Sequence, residues 1–263
     1  MTLSWIYWGL CIALGLWILI DAIVHRRKID TYLKYGALFC LVLAVIQVSA
    51  LYVAGLPKES RRCLGALLMA VLPLLDILIL TCIGMDSCAA TGGTDVPLLK
   101  RLFGAGAGTD RVSLVRCSIW TANTAIAATA FSLALFWLTS PRMAPTLRAL
   151  VGPPSGPSLI AGLVFVRFAV VEEITYRLAV QSFLARKLRL QGRRYVVAIV
   201  LASALWTLGH AGTLEPEWIK FAQIFPIGIA LGFLFRKYGV ESCIFAHAIF
   251  NVVMMFCEPC VVM

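Results

Sequence analysis

The sequence predicts an all-α, polytopic membrane protein with about eight transmembrane helices. Of its 263 residues, 61% are hydrophobic and 14% are charged, whereas a soluble domain is about 45–50% apolar and about 25% charged. Mean hydropathy is +0.91. The net charge of +10 lies mostly in short loops between apolar runs, a distribution typical of cytoplasmic loops. We therefore expect the partners to include the lipid bilayer and its anionic headgroups, and no nucleic acid.

Eight apolar runs support this fold class, because a membrane span needs about 20 residues. The first run lacks a charged n-region and a small-residue cleavage site, so we expect it to remain as a helix. The sequence divides into residues 1–140, with four helices and their loops, and a four-helix core at 158–256, forming one integrated membrane domain. The runs lie at about 4–24, 35–56, 64–84, 115–138, 158–185, 195–210, 218–235 and 240–256.

The distribution of lysine and arginine predicts the orientation. If the N-terminus lies outside the cytoplasm, 15 Lys and Arg fall in cytoplasmic loops and 6 on the opposite side. Basic residues concentrate in cytoplasmic loops. We therefore expect both termini to be extracytoplasmic, in the cell (inner) membrane of a prokaryote.

Six consecutive residues of the fifth apolar run contain three charged side chains, those of Glu172, Glu173 and Arg177. An ionisable group at the bilayer centre costs about 2.5–3.5 kcal/mol on insertion scales. Glu173 and Arg177 are four residues apart, so the arginine can neutralise that carboxylate. Glu172 projects about 100° away on the same turn, which leaves it free for another role.

Two of the three histidines lie at membrane depth. His25 is in a loop, whereas His210 ends the sixth run, and His247 shares a face of the eighth run with Asn251. Taken singly, such residues often hold helices together, and a Glu–Arg pair is often a structural clamp. Together, a carboxylate and imidazoles suit a general base that activates water. Histidine and asparagine donors suit an oxyanion.

Over about residues 158–256, the chain resembles the CAAX-processing and bacteriocin-processing membrane proteases, the CPBP or Abi group, which includes the type II CAAX prenyl endopeptidases. The family usually has phenylalanine where this chain has Trp206. Three motifs carry the resemblance: Glu172-Glu173-x-x-x-Arg177, Trp206-x-x-x-His210 and His247-x-x-x-Asn251.

The resemblance implies an eight-helix intramembrane endopeptidase of the glutamate type. Glutamate and two histidines could hold a metal in principle, but no His-Glu-x-x-His is present. We therefore expect no metal and no other cofactor. The roles that the resemblance implies are Glu172 as the base that activates water, His210 as its assistant, His247 and Asn251 as oxyanion donors, and Glu173 and Arg177 as supporting residues.

The expected substrate is a membrane-associated protein or peptide that is cut near its C-terminus. The predicted orientation puts His210 and Asn251 on the outer side, which favours a sorting-signal-like helix or peptide precursor over a CAAX-like substrate. Three alternatives stay open. The chain could be a non-catalytic membrane scaffold or immunity protein of the same fold, a metal-dependent protease, or a proton-coupled transporter. The transporter lacks support, since no inverted repeat is visible.

Four further features of the sequence lie outside these three motifs. Asp76 in the third run is a second candidate for a buried acid, or for a carboxylate bonded to a neighbouring helix. Gly228 and Gly232 have the spacing of closely packed helices. The nine cysteines mostly lie in apolar runs and are interpreted as small hydrophobic residues. Cys257-Glu-Pro-Cys260 and the C-a-a-X match Cys260-Val-Val-Met263 are expected to have no redox or prenylation role.

Overall fold

The computed structural model describes residues 2–24, 29–54, 60–102, 111–145 and 159–261. The glycine-rich stretch at 104–108, most of the proline-rich loop before the fifth run and the last two residues of the C-a-a-X match lie outside these ranges.

The described chain is almost entirely helical, which confirms the all-α class. Its only strands are two residues each, and they pair antiparallel with Arg142 opposite Glu215. The elements are α1 (Thr2–Val24), a 3-10 turn (Ile29–Tyr32), α2 (Leu33–Ala54), α3 (Ser60–Ala90), α4 (Pro97–Leu102), α5 (Arg111–Thr139), β1 (Arg142–Met143), α6 (Leu159–Glu172), a π-helix (Glu173–Gln181), α7 (Ser182–Lys187), a 3-10 turn (Gly192–Arg194), α8 (Tyr195–Leu208), β2 (Leu214–Glu215), α9 (Glu217–Tyr238) and α10 (Val240–Val261).

Five described helices are long and apolar enough to cross a membrane, which confirms a polytopic membrane protein. They correspond to the first, second, fourth, seventh and eighth apolar runs. The other three runs are helical, but α8 has only 14 residues and is about 21 Å long at 1.5 Å per residue, short of the roughly 30 Å hydrocarbon core. The count of eight spans therefore stays a prediction. The five are Leu3–Val24, Asp30–Ser49, Leu114–Thr139, Glu217–Tyr238 and Val240–Cys257.

The fifth run forms one continuous helix in which a nine-residue π-helix separates α6 from α7. π-Helical turns are rare and frequently occur at functional sites. The segment packs against α3, α8, α9 and α10. Its charged residues, Glu173 and Arg177, are therefore buried among neighbouring helices rather than facing lipid.

Helix α1 lies on the outside of this packing and is attached through polar contacts. Near its C-terminal end, Asp21 forms ion pairs with Arg186 and Lys187 of α7. Near its N-terminal end, the hydroxyl of Tyr7 lies 2.6 Å from the hydroxyl of Tyr176 in the π-helix. These contacts hold α1 against the same helix that carries the paired glutamates.

Helices α8 and α9 approach closely at Gly228 and Gly232, as their spacing predicted. A Cβ added to Gly232 would lie 2.5 Å from Cγ2 of Ile199, and one added to Gly228 would lie 3.0 Å from Cβ of Ser203. The absence of side chains at these two positions lets α9 pack directly on α8, the helix that leads to His210.

Gly232→Ala is expected to lower the free energy of unfolding by about 1–3 kcal/mol, because the added methyl overpacks the α8–α9 contact. Gly9→Ala on α1 is the matched control, since a Cβ there meets nothing within 4 Å. Denaturant unfolding of the purified protein in detergent micelles measures both. Equal stability of Gly232→Ala and wild type would contradict the close packing.

Candidate active site

The junction between α6 and the π-helix gives the two adjacent glutamates different environments. Glu172 is the last residue of α6 and Glu173 the first of the π-helix. The side chain of Glu172 is 23% exposed, whereas that of Glu173 is 1% exposed. One carboxylate is therefore reachable from outside the protein, and the other is sealed within it.

The sealed carboxylate has two charged or polar partners. Glu173 Oε1 lies 2.8 Å from Nδ1 of His247 on α10. Its Oε2 lies 3.3 Å from Nε of Arg177, which is fully buried. This confirms the pairing of Glu173 and Arg177 that their spacing predicted. Nη1 and Nη2 of the guanidinium have no hydrogen-bond partner among the described residues, so Glu173 is its principal electrostatic partner.

The reachable carboxylate is held by a tryptophan. Nε1–H of Trp206 donates to Oε2 of Glu172 at 2.6 Å. Nε2 of His247 lies 4.0 Å from the same oxygen. An indole is a donor only, so the Glu172 oxygen is the acceptor in this hydrogen bond. The bond fixes the direction of the Glu172 side chain.

Trp206 also connects the rest of the cluster, although the sequence had not marked it as a site residue. Its ring meets the imidazoles of His210 and His247 edge-on, with centroids 5.2 Å and 5.4 Å away. The guanidinium carbon of Arg177 lies 4.9 Å from its centroid, within the range of a cation–π contact. The sequence did contain a signal for this role. Trp206 lies four residues before His210, at the position where the family usually has phenylalanine, and its indole N–H is a donor that phenylalanine lacks.

His210 lies in the turn after α8, outside the five candidate spans. Its Nδ1 is 2.9 Å from the carbonyl oxygen of Trp206. Because a carbonyl only accepts, Nδ1 carries the proton, and Nε2 of the neutral ring keeps its lone pair. Burial lowers the pKa of His210 below the ordinary 6.5, and the Glu172 carboxylate only partly offsets this effect. At neutral pH the ring is therefore uncharged and can accept a proton.

This state of His210 predicts a pH dependence. A lowered pKa means that the imidazole becomes charged, and stops accepting protons, only below pH 6.5. We expect kcat/KM to fall on the acid side of pH 6.5 and to show no loss from His210 between pH 7 and 8. A pH–rate profile measures this. If kcat/KM already begins to fall above pH 7 as the pH is lowered, the result would contradict the lowered pKa of His210.

His247 connects the two carboxylates. Because a carboxylate accepts, Nδ1–H of His247 donates to Glu173, and Nε2 then faces Glu172 at 4.0 Å. The ring is buried, with 4% of its surface exposed. The sealed glutamate therefore fixes the orientation of an imidazole beside the reachable one.

Asn251 lies one turn further along α10 and has a different contact. Its Nδ2 donates to the carbonyl oxygen of Phe165 on α6 at 3.4 Å, a long hydrogen bond. The structure thus brings five of the six predicted site residues together around Trp206 and places Asn251 beside them, against α6. Its role toward an oxyanion stays a prediction.

Within the described ranges, no three His, Cys, Asp or Glu side chains are arranged to hold a metal ion. The expectation of a metal-independent site stays a prediction that a chelator can test.

Trp206→Phe is expected to lower kcat/KM roughly 10- to 100-fold, because a hydrogen bond to a charged group contributes about 1.5–3 kcal/mol. Trp137→Phe is the matched control, since that tryptophan on α5 is exposed. The comparison needs turnover and unfolding temperature measured on the same samples. Unchanged turnover in Trp206→Phe would show that the indole N–H does not position Glu172.

Fold and site together define a class: an all-α integral membrane protein with a carboxylate–imidazole cluster buried between its helices. Residues 154–253 match the family described as Rce1-like, type II CAAX prenyl endopeptidase. The matched part of the chain includes all six predicted site residues and is similar to that family. The match confirms the resemblance seen in the three motifs, and it supports protease activity at the level of the family alone.

A curated relative of the same family shares part of this region. The chain is 30% identical over 95 residues to the sporulation-killing factor biosynthesis protein SkfC of Bacillus subtilis (strain 168), an alignment covering 36% of this chain and 18% of SkfC. The chain thus matches less than a fifth of the length of that relative. No solved structure matches the chain.

Proposed function

We propose that the chain is a glutamate-type intramembrane endopeptidase that hydrolyses a peptide bond near the C-terminus of a membrane-associated protein. The observation that carries the proposal is the reachable Glu172 carboxylate, bonded to Trp206 at 2.6 Å and flanked by His247. Its neighbour Glu173 is sealed into an ion pair with Arg177. Two carboxylates in contrasting environments support two separate roles, one chemical and one structural.

In this proposal, Glu172 accepts one proton from a water molecule as the water oxygen attacks the scissile carbonyl carbon, and Nε2 of His210 assists by accepting a hydrogen bond from the same water. The carbonyl π electrons move to the oxygen, which becomes an oxyanion. When the tetrahedral intermediate collapses, the C–N bond breaks and the proton passes to the leaving nitrogen. The products are a new carboxylate and a new amine, so no oxidant, reductant or other co-reactant is needed.

The proposed oxyanion donors are His247 and Asn251. The Asn251 amide carries two N–H groups, and the long contact to Phe165 uses one of them. The second is available to a substrate. The ring of His247 is oriented for this role by the contact of its Nδ1 with the Glu173 carboxylate at 2.8 Å.

The proposal includes no metal or other cofactor. A strong chelator such as 1,10-phenanthroline is expected to leave the rate unchanged. Loss of activity that zinc restores would instead favour a metal-dependent protease built on the same residues.

We further propose that substrates reach the site from the outer face of a prokaryotic cell membrane, with both termini extracytoplasmic. The 15 to 6 distribution of basic residues supports this orientation, and an outward site suits a sorting-signal-like helix better than a CAAX-like end. Single cysteines at positions 213–217, labelled from one side of the membrane at a time, test it. Labelling from the cytoplasmic side alone would overturn it.

The test of the function is mass spectrometry of membrane proteins from cells that contain the wild-type chain, Glu172→Gln or the exposed-residue control Glu215→Gln. We expect a set of C-terminal peptides that is shortened with wild type and Glu215→Gln and intact with Glu172→Gln. Identical peptides in all three samples would favour a non-catalytic scaffold.

A further inference from the structure

A cavity of about 510 Å³ lies between α1, α3, the π-helix and α8. The cavity adjoins the candidate site. Val171 and Thr175, which precede and follow the paired glutamates in the sequence, line the cavity, and so does Leu205, the residue before Trp206. The volume is within the roughly 300–1,000 Å³ of ligand pockets. Neither glutamate lines the cavity, but a ligand in it would contact residues adjacent in sequence to Glu172 and Trp206.

The walls of this cavity are apolar except at a few positions, and Asp76 is the one charged residue among the described residues that line it. Asp76 lies near the middle of α3, and its side chain is exposed on the cavity wall. The expectation that it would be buried is wrong, and no bond from it to a neighbouring helix is present among the described residues. The residues three and four positions further along α3, Ile79 and Leu80, are apolar, so they offer this carboxylate no charged neighbour on its face of the helix.

Asp76 has no hydrogen bond or ion pair within the described part of the chain, unlike most acidic residues there. A carboxylate with no partner in an apolar membrane environment is energetically costly and is a functional candidate by default. The acids with a hydrogen bond or ion pair include Asp21, Asp86, Asp95, Glu172, Glu173, Glu217 and Glu241.

We propose that this cavity binds an apolar peptide segment that carries one cationic side chain, lysine or arginine, paired with Asp76. A charge pair is far stronger at low effective dielectric than in water, so the carboxylate selects a cation from among apolar segments. The peptide nature of the ligand rests on the proposed function, since the cavity adjoins the residues that would cleave it. The apolar walls hold the rest of the segment and direct it toward Glu172.

The test uses Glu172→Gln in lipid nanodiscs, so that peptides bind without turnover. Three synthetic apolar peptides differ at one central position, which is lysine, norleucine or glutamate. Cys11 lines the cavity, so an occupant should protect it from N-ethylmaleimide, and mass spectrometry of the alkylated fragment reports this. Cys257, half-buried at the end of α10, is the internal control outside the cavity.

We expect the lysine peptide to protect Cys11 at a concentration at least tenfold lower than the norleucine peptide, with the glutamate peptide weakest. In Asp76→Asn this preference should disappear, and in Asp76→Lys it should reverse toward glutamate. Equal protection by the lysine and norleucine peptides, or protection by nanodisc lipid alone, would overturn the proposal without any variant at Asp76.

The experiments distinguish failure of the endopeptidase proposal from failure of the cavity proposal. Intact, charge-selective protection of Cys11 together with no change of C-terminal peptides in cells would remove the endopeptidase proposal and leave the cavity as a peptide-binding site. Shortened C-terminal peptides without charge-selective protection would remove the role of Asp76 and leave the endopeptidase.

Discussion

Glu172→Gln is expected to lower kcat/KM by about 10²–10⁴-fold, the usual contribution of a general base. Glutamine keeps the size of the side chain, and its amide oxygen can still accept the 2.6 Å hydrogen bond from Trp206. The substitution therefore removes proton acceptance and little else. A substrate peptide taken from the cell comparison, incubated with the purified protein in lipid vesicles, provides the assay.

Two further variants make this result interpretable. Glu215→Gln changes an exposed carboxylate and should retain wild-type turnover. Glu173→Gln changes the sealed carboxylate and should lower stability as well as turnover, because it weakens the contacts with Arg177 and His247. Full turnover in Glu172→Gln, with turnover lost at normal stability in Glu173→Gln, would reverse the roles of the two glutamates.

Arg177→Met is expected to lower the free energy of unfolding by about 3–5 kcal/mol, the cost of leaving a buried charge without its partner. Arg177 is fully buried and lies 3.3 Å from Glu173. Its guanidinium also packs on the face of Trp206, so the substitution also disturbs the support of Glu172. Denaturant unfolding in detergent micelles measures the loss.

The double variant Glu173→Gln/Arg177→Met distinguishes an electrostatic cause from a packing defect. It removes both charges and keeps similar volumes, so we expect it to be more stable than Arg177→Met alone, as neutral replacements of buried ion pairs often are. If the double variant is no more stable than Arg177→Met, lost packing explains the effect, and the ion pair does not stabilise the π-helix.

The sequence predicted the pairing of Glu173 with Arg177 and the separate position of Glu172, because helical spacing alone determines which side chains share a face. It also predicted that His210 and His247 would join them. It could not predict the hydrogen bond from Trp206, since the direction of an indole N–H depends on how α8 packs against the π-helix. The π-helix itself has no simple sequence signature, so the sealing of Glu173 appears only in the structure.

The predicted runs located every long helix of the described residues, yet the helix lengths in the structure differ from the lengths of the apolar runs. α8 ends at Leu208 after 14 residues, because Gly209 and His210 form a turn. Asn251 shares a face with His247 as predicted, but the packing of α10 on α6 gives its amide a backbone partner at Phe165. Tertiary packing decides both outcomes.

The central claim is that Glu172 activates water to hydrolyse a peptide bond, and isotope labelling tests it most directly. Purified wild type and Glu172→Gln, in lipid vesicles, are incubated with the substrate peptide in H₂¹⁸O, and the products are weighed by mass spectrometry. The account predicts a new C-terminal carboxylate containing one ¹⁸O atom with wild type and almost no product with Glu172→Gln. Equal amounts of labelled product from both proteins, or no product from wild type, would contradict it.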